Sequence, residues 1–292
     1  MNLWKALQAQ QALTPEQKLF VKERMVEGTT TPDDWLVLFG KVAEYDSLRD
    51  SSSKTVGWMG CGGCAGLVLL FILGVSNVIL FPIFVIALII FIGVSVILGK
   101  HRKDVPNHLR LFVVPLLSVL REEMRRGESL YLRLDLRGGT VADKLHSNQL
   151  SKKGQQLQAS GSKIKEEFFQ DVWLTGSARL ADGTQLQMRV VDRIRKREEG
   201  KRRSSGKYKT KTKHKIKSRL EARLQFKRAK YTFDKTGLKA ATNEKVNVQS
   251  DTGKDTVRLR RTVLSTDLNR PAKLYDFLDL LAKAYKQVKP VS

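Results

Sequence analysis

The forty-five residues from Thr55 to Gly99 contain no Asp, Glu, Lys or Arg. No other feature limits the folding of this chain so tightly. One membrane span needs about twenty apolar residues. A single helix of this length would reach roughly 67 Å at 1.5 Å per residue, about twice the hydrocarbon thickness of a bilayer. The sequence therefore predicts a membrane α-helical hairpin with spans at about 56–74 and 78–98, separated by Val75-Ser76-Asn77. Pro82 falls in the first turns of the second span, where a missing N–H is best tolerated. A soluble core helix would keep a polar stripe, and Val78 to Leu98 has none.

So short a turn leaves both ends on one side. Lys41, Arg49 and Lys54 precede the segment, and Lys100, Arg102, Lys103 and Arg110 follow it. Basic flanks mark the cytoplasmic side. The expectation is a multi-pass inner (plasma) membrane protein with both termini cytoplasmic and membrane lipids as its first partner. Gly62 and Gly66 have the spacing that lets helix backbones approach closely. They serve packing within the hairpin, or a homo-oligomer formed through it. Cys61 and Cys64 form a C-x-x-C pair, but a zinc site needs two more ligands and no second pair exists. They are read as small packing residues, with acylation as the alternative. No metal or cofactor is expected.

Charge divides the chain in the same place. Residues 1–54 carry a net −1 and residues 100–292 a net +25, together the +24 of the whole. Such an excess bears on partners rather than on fold. It favours anionic lipid, nucleic acid or an acidic protein. Three domains follow: a helical segment at 1–54, the hairpin at 55–99, and a basic α+β domain at 100–292. With only two cysteines, the basic domain has no disulfide, which fits a reducing compartment. The first residues lack the pattern of a cleaved signal peptide.

Thr14-Pro15-Glu16-Gln17 supplies an N-cap and a proline at N1, predicting a helix to about Glu27 that Gly28 stops. Thr31-Pro32-Asp33-Asp34 repeats the signal. After Pro106, apolar residues at 109, 112, 113, 116, 117, 120 and 124 give an amphipathic stripe, interrupted by Pro115. The period then changes to two. Every even position of Leu130 to Leu136 is leucine, the pattern of a half-buried strand. Asp182-Gly183 predicts a two-residue hairpin turn, after which Leu186, Met188, Val190 and Ile194 form an apolar face opposite Arg189, Arg193, Arg195 and Arg197. A terminal helix carries Leu274, Phe277, Leu278, Leu281 and Tyr285.

From Lys207 to Lys217 every odd position is lysine, and residues 193–230 hold eighteen Lys or Arg against three Glu. The expected fold is a mainly antiparallel sheet flanked by amphipathic helices, with a long basic β-hairpin arm projecting at about 184–228. The candidate anion-binding residues are Arg193, Arg195, Lys196, Arg197, Lys201, Arg202, Arg203, Lys207, Lys209, Lys211, Lys213, Lys215 and Lys217. Lysines on an exposed strand also block edge-to-edge aggregation, so anion binding and edge protection both account for the run.

No catalytic motif is found. The four histidines, His101, His108, His146 and His214, are scattered, and no phosphate loop or nucleophile elbow occurs. Asp135 and Asp192 lie in strands with no catalytic partner nearby in sequence, and Gly138-Gly139-Thr140 reads as a turn. The functional expectation is a non-enzymatic, membrane-anchored binding or scaffolding protein. Its basic arm would engage anionic lipid or an acidic partner. The alternatives are a membrane-tethered nucleic-acid binder and an oligomeric membrane effector.

Overall fold

The computed structural model describes residues 2–51, 85–86, 88–89, 105–159, 163–202, 208–233, 241–268 and 272–291. The chain divides into two compact units, Met1–Lys22 with Gly40–Val105, and Glu23–Phe39 with Pro106–Ser292.

The first unit holds α1 (Asn2–Gln11), α2 (Pro15–Glu23) and the later turns of α3 (residues 32–51). Leu13, Phe20, Val42 and Tyr45 are buried. Thr14 and Gln17 cap α2 reciprocally. The Thr14 N–H donates to Gln17 Oε1 at 2.9 Å, and the Gln17 N–H donates to Thr14 Oγ1 at 3.3 Å. The helix stops at Glu23, short of the expected Glu27, because Arg24 adopts a φ of 56°. A left-handed residue cannot continue a right-handed helix.

In the second unit Arg24 leads into β1 (Met25–Thr30), so Gly28 lies in a strand and caps no helix. The first turns of α3 follow. The Asp34 N–H donates to Thr31 Oγ1 at 3.2 Å, and the Trp35 indole N–H donates to the Leu130 carbonyl at 3.2 Å. The Trp35 ring stacks on Phe39 at 5.3 Å.

The body of this unit is an antiparallel sheet in the order β1-β2-β4-β5-β6-β9-β8. Its strands are β2 (Leu130–Asp135), β4 (Lys163–Arg179), β5 (Gln185–Arg202), β6 (Tyr208–Lys227), β8 (Glu244–Asp251) and β9 (Lys254–Ser265). The short β3 (Leu145–Ser147) pairs with β4. Two further strands, β7 (Tyr231–Phe233) and β10 (Val288–Pro290), pair only with each other. The β4–β5 connection closes through Leu180 and Thr184, with Gly183 at a φ of +90°. That is a three-residue loop with glycine in the left-handed position, not the expected two-residue turn.

Because strand side chains alternate, the register sorts this sheet into two faces. One face carries Leu132, Leu134, Leu174, Leu186, Val190, Leu220, Leu224, Val257 and Leu259, all buried. It is the face covered by helices. A π-helical turn at Leu109–Val113 runs into α4 (Val114–Glu123), the switch occurring just before Pro115. From this segment Phe112 meets Trp173 of β4 edge-on at 5.3 Å and Phe277 of α6 (Leu274–Tyr285) at 6.1 Å. A small helix, α5 (Lys152–Ala159), lies beside β4.

Two expectations are corrected here. Among the described residues no helix is long and apolar enough to cross a membrane. The helices that do form interleave polar and charged residues with apolar ones, and the architecture is mainly antiparallel sheet. The membrane α-helical hairpin is therefore not supported as part of the fold, nor is a multi-pass membrane location. Its expected spans, with Cys61, Cys64 and the helix-packing Gly62 and Gly66, lie outside the described residues apart from helical backbone at 85–86 and 88–89. The second correction concerns the arm. β4 runs beside β5 as far as Lys163 opposite Gly200, so the β5–β6 pair is flanked on its β5 side for nearly its whole length, while β9 flanks β6 only from Ile216 to Lys227. Only Lys201 and Arg202, opposite Lys209 and Tyr208, extend beyond that partner.

Phe112 has no exposed surface and joins helix to sheet. Phe112→Ala is expected to cost about 3–5 kcal/mol in urea denaturation, with an unchanged denaturant slope. A loss below about 1 kcal/mol would show that the two aromatic contacts do not hold α4 on the sheet.

Candidate functional site

The second face of the sheet is open. One register row runs straight across it: Gly176 of β4, Met188 of β5, Ala222 of β6, Leu259 of β9 and Val246 of β8. The side chains of these residues belong to the covered face, so their backbone forms a floor on the open one. The neighbours on either side raise two walls. One wall consists of Thr175, Arg189, Glu221, Arg260 and Lys245, the other of Ser177, Gln187, Arg223, Arg258 and Asn247. The result is a transverse trough of about 830 Å³, closed at the β2 end by Tyr131.

Lys245 and Arg260 also line an adjoining cavity of about 500 Å³ with Arg193, Lys215, Lys217 and Arg219. Arg193, Lys215 and Lys217 in turn line a third, of about 580 Å³, with Phe168 and Arg195. The three cavities share walls and form one continuous basic surface.

Most of its cations lack a carboxylate partner. Glu221 bonds Arg260 at 3.0 Å and approaches Arg219 at 3.6 Å. Among the described residues, Arg189, Arg193, Arg223, Arg258, Lys215, Lys217 and Lys245 take part in no ion pair. The buried Nε of Arg223 has no hydrogen-bond acceptor. Arg219 records the crowding. Burial first, then repulsion from Arg193 and Arg260, lowers its guanidinium below the ordinary arginine value, against the pull of Glu221. Like charges on neighbouring strands cost free energy, so this face is held together against its own field.

The residues expected to bind anions divide into three groups. Arg193, Lys215 and Lys217 lie on the shared cavity wall, and Arg195 stands beside them with its guanidinium 3.9 Å from Glu166. Lys209 and Lys211 are exposed farther along β6. Others are engaged within the chain. Arg197 is buried and bonds the fully buried Glu166 carboxylate at 2.5 Å. Lys213 pairs with Glu199 at 2.7 Å. Lys196 lies on the opposite face, with Glu167 at 3.2 Å and Glu198 at 2.9 Å. Lys201 and Arg202 continue β5, while Arg203 and Lys207 lie outside the described residues. Sequence reasoning missed Arg189, Arg219, Arg223, Lys245, Arg258 and Arg260 as members of the site. They lie up to seventy-one residues apart, and only strand register brings them together.

Register also assembles a second polar group, on the covered face. A bulge between Val172 and Leu174 shifts the parity of β4 and sets Asp171 opposite Asp192 of β5. The Lys144 ammonium lies 2.7 Å from Asp171 and 3.1 Å from Asp135. Arg137 bonds both Asp135 and Asp143 at 2.7 Å. Burial acts to raise the Asp135 carboxyl, but Arg137 and Lys144 hold it at about 2. Asp171 is raised by burial despite Lys144. Beside them His108 packs edge-on to Trp173 at 4.8 Å, with its Nε2 4.0 Å from Asp192. Lys144 lies between Asp135 and Asp171, whereas among the described residues Asp192 Oδ1 and His108 Nδ1 are buried without a hydrogen-bond partner, and Asp135, Lys144, Asp171 and Asp192 line none of the three cavities. The sequence did carry a signal for this cluster: Asp192 occupies an even, apolar position of β5. Among the described residues no group of His, Cys, Asp and Glu is arranged to hold a metal ion.

No protein-family profile, curated protein or solved structure matches the chain.

Asp192 and His108 give the cluster a testable pH signature. Burial pushes the Asp192 carboxyl from 3.8 up to about 6. Its contribution to stability is complete below pH 3.8 and is lost as pH rises through about 6. Burial, aided by the Lys144 charge, lowers His108 from 6.5 to about 4. Its contribution is complete above pH 6.5 and is lost as pH falls through about 4. The two slopes oppose each other over the same window. In Asp192→Asn, stability is expected to rise with pH across that window by on the order of 1–3 kcal/mol. In His108→Gln it is expected to fall. Denaturant titrations at several pH values check both, and flat profiles in both variants would refute the assignment.

Proposed function

We propose that this protein is a nucleic-acid-binding module that uses the open basic face of its sheet, and that it works by binding rather than catalysis. The observation that carries this reading is the set of unpaired arginines in the middle of the sheet. Edge protection explains basic residues on a free edge. It suits Lys209 to Lys215, since β9 leaves β6 at Ser265 opposite Ile216. It does not explain Arg189, Arg223 and Arg258, which sit on strands with neighbours on both sides.

The choice of residue supports phosphate as the ligand group. A guanidinium offers a planar fork that two phosphate oxygens can accept, which a lysine ammonium does not. Thr175, Ser177, Gln187 and Asn247 stand among the arginines. Such side chains are common donors to phosphate and sugar oxygens. A trough continuous across several strands also suits a polymer better than a single small anion. An acidic protein would satisfy the charge but would make less use of the fork geometry.

Binding of a labelled mixed-sequence nucleic acid to the full chain, followed by fluorescence polarisation across a salt series, tests the reading. Log affinity is expected to fall steeply and linearly with log salt concentration. Arg189→Gln with Arg258→Gln should weaken binding about tenfold or more and reduce the magnitude of the slope by about two. Both residues are exposed, so the fold should not suffer. No binding at about 50 mM salt, or tighter binding of an acidic polypeptide than of nucleic acid, would reject the proposal.

A further inference from the structure

The shape of the cationic array narrows the ligand further. We infer that the face recognises a double helix through its two phosphate backbones, without reading sequence. This rests on the nucleic-acid reading above and is distinct from it.

The first ground is extent in two dimensions. Unpaired cations occupy β5, β6, β9 and β8 side by side, a width of about 14 Å at about 4.8 Å per strand. Along β6 they run from Arg223 to Lys215, about 27 Å at 3.4 Å per residue. A single strand engages a line of charge, and most of this array would lie beyond its reach. A duplex carries phosphates on two backbones, one on each side of every groove, and presents a charge every 1.7 Å or so of its axis. It can meet cations across the width and along the length together.

The second ground is what the face lacks. Proteins that hold single strands stack the bases on aromatic rings. Among the described residues, the walls of the three cavities offer Tyr131 at one end and Phe168, Phe169 and His146 at the other, with no ring in the arginine-rich centre. The Tyr131 hydroxyl already donates to Glu27 at 2.8 Å. A ligand bound here has its phosphates outward and its bases stacked on one another. That is the state of a double helix. The polar side chains of the trough lie among the arginine heads on a sheet surface and do not project from a helix or ribbon that could enter a major groove. They suit the backbone rather than base edges.

The decisive comparison uses the full chain and probes of equal phosphate number, a duplex of about 15 base pairs and a single strand of about 30 nucleotides. The duplex is expected to bind about tenfold more tightly, and duplexes of scrambled sequence should agree within about threefold. Replacing Lys245 and Arg258 with glutamine should erase much of the duplex preference while leaving the circular-dichroism spectrum unchanged. A DNA duplex and an RNA duplex run in parallel show which helix form suits the sheet. Equal or tighter binding of the single strand would overturn the inference and leave nucleic-acid binding standing. A strong sequence preference among duplexes would overturn the backbone-only mode. Failure of every nucleic acid to bind would remove the broader reading with it.

Discussion

The rest of this structure depends on one continuous antiparallel register through β4, β5, β6, β9 and β8. Strand side chains alternate with a period of two, so a slip of one residue exchanges the two faces completely. Here such a slip would drive Arg189, Arg219 and Arg223 against Phe112 and Phe277 and turn Leu186, Val190, Leu220 and Leu224 out to water. Burying each of those aliphatic side chains is worth roughly 1.5–3 kcal/mol. The same burial therefore fixes the core and concentrates the arginines. The basic face is not an addition to the fold; it is the other side of the hydrophobic pattern.

The β4 bulge is the one departure from that regularity, and the polar cluster follows from it. Trp173 and Leu174 are both buried although they are adjacent, so the parity of the strand changes at this point. Asp171 then shares a row with Asp192, and the chain must supply a counter-charge. It does so from the loop after β2. Gly138 takes a φ of +108°, and at Gly139 an added Cβ would lie 2.2 Å from Ile194 Cδ1. A side chain at Gly139 would have to displace the end of Ile194, and the positive φ of Gly138 disfavours other residues there. The pair of glycines that reads as an ordinary turn in the sequence thus sits directly against the covered face.

Local pattern was legible. The alternate leucines of β2, the Asp-Gly turn, the Thr-Pro caps of α2 and α3, and the two-faced character of β5 can all be read from neighbours in the chain. What could not be read was adjacency between strands distant in sequence. Arg223 and Arg258 are cross-strand partners, yet nothing near either residue says so. The lysine run at 207–217 drew attention because its charge density is local. Its last members, Lys215 and Lys217, do border the cavities, but Lys209 to Lys215 lie where β6 has lost its neighbour β9. There, basic residues also protect an edge. β1 was hidden for another reason. A single left-handed residue, Arg24, ends a helix that the composition alone would continue.

The two faces treat charge in opposite ways, and that contrast points outward. On the covered face the ionised groups are given partners by the chain. Arg261 bonds Glu244 at 2.5 Å and also Asp279, while Lys144 joins Asp135 and Asp171. A buried charge left alone is too costly for any other arrangement. On the open face water screens the cations, and although Glu166, Glu199 and Glu221 hold some of them, the chain leaves most of those around the trough unpaired. Yet Arg219, lowered first by burial, is lowered further by Arg193 and Arg260, so screening does not abolish their mutual repulsion. A second carboxylate beside Glu221 would have relieved that repulsion at little structural cost. Its absence from the central walls of the trough keeps the guanidinium forks open. The missing negative charge is then supplied by whatever binds, and its binding free energy includes the repulsion it relieves.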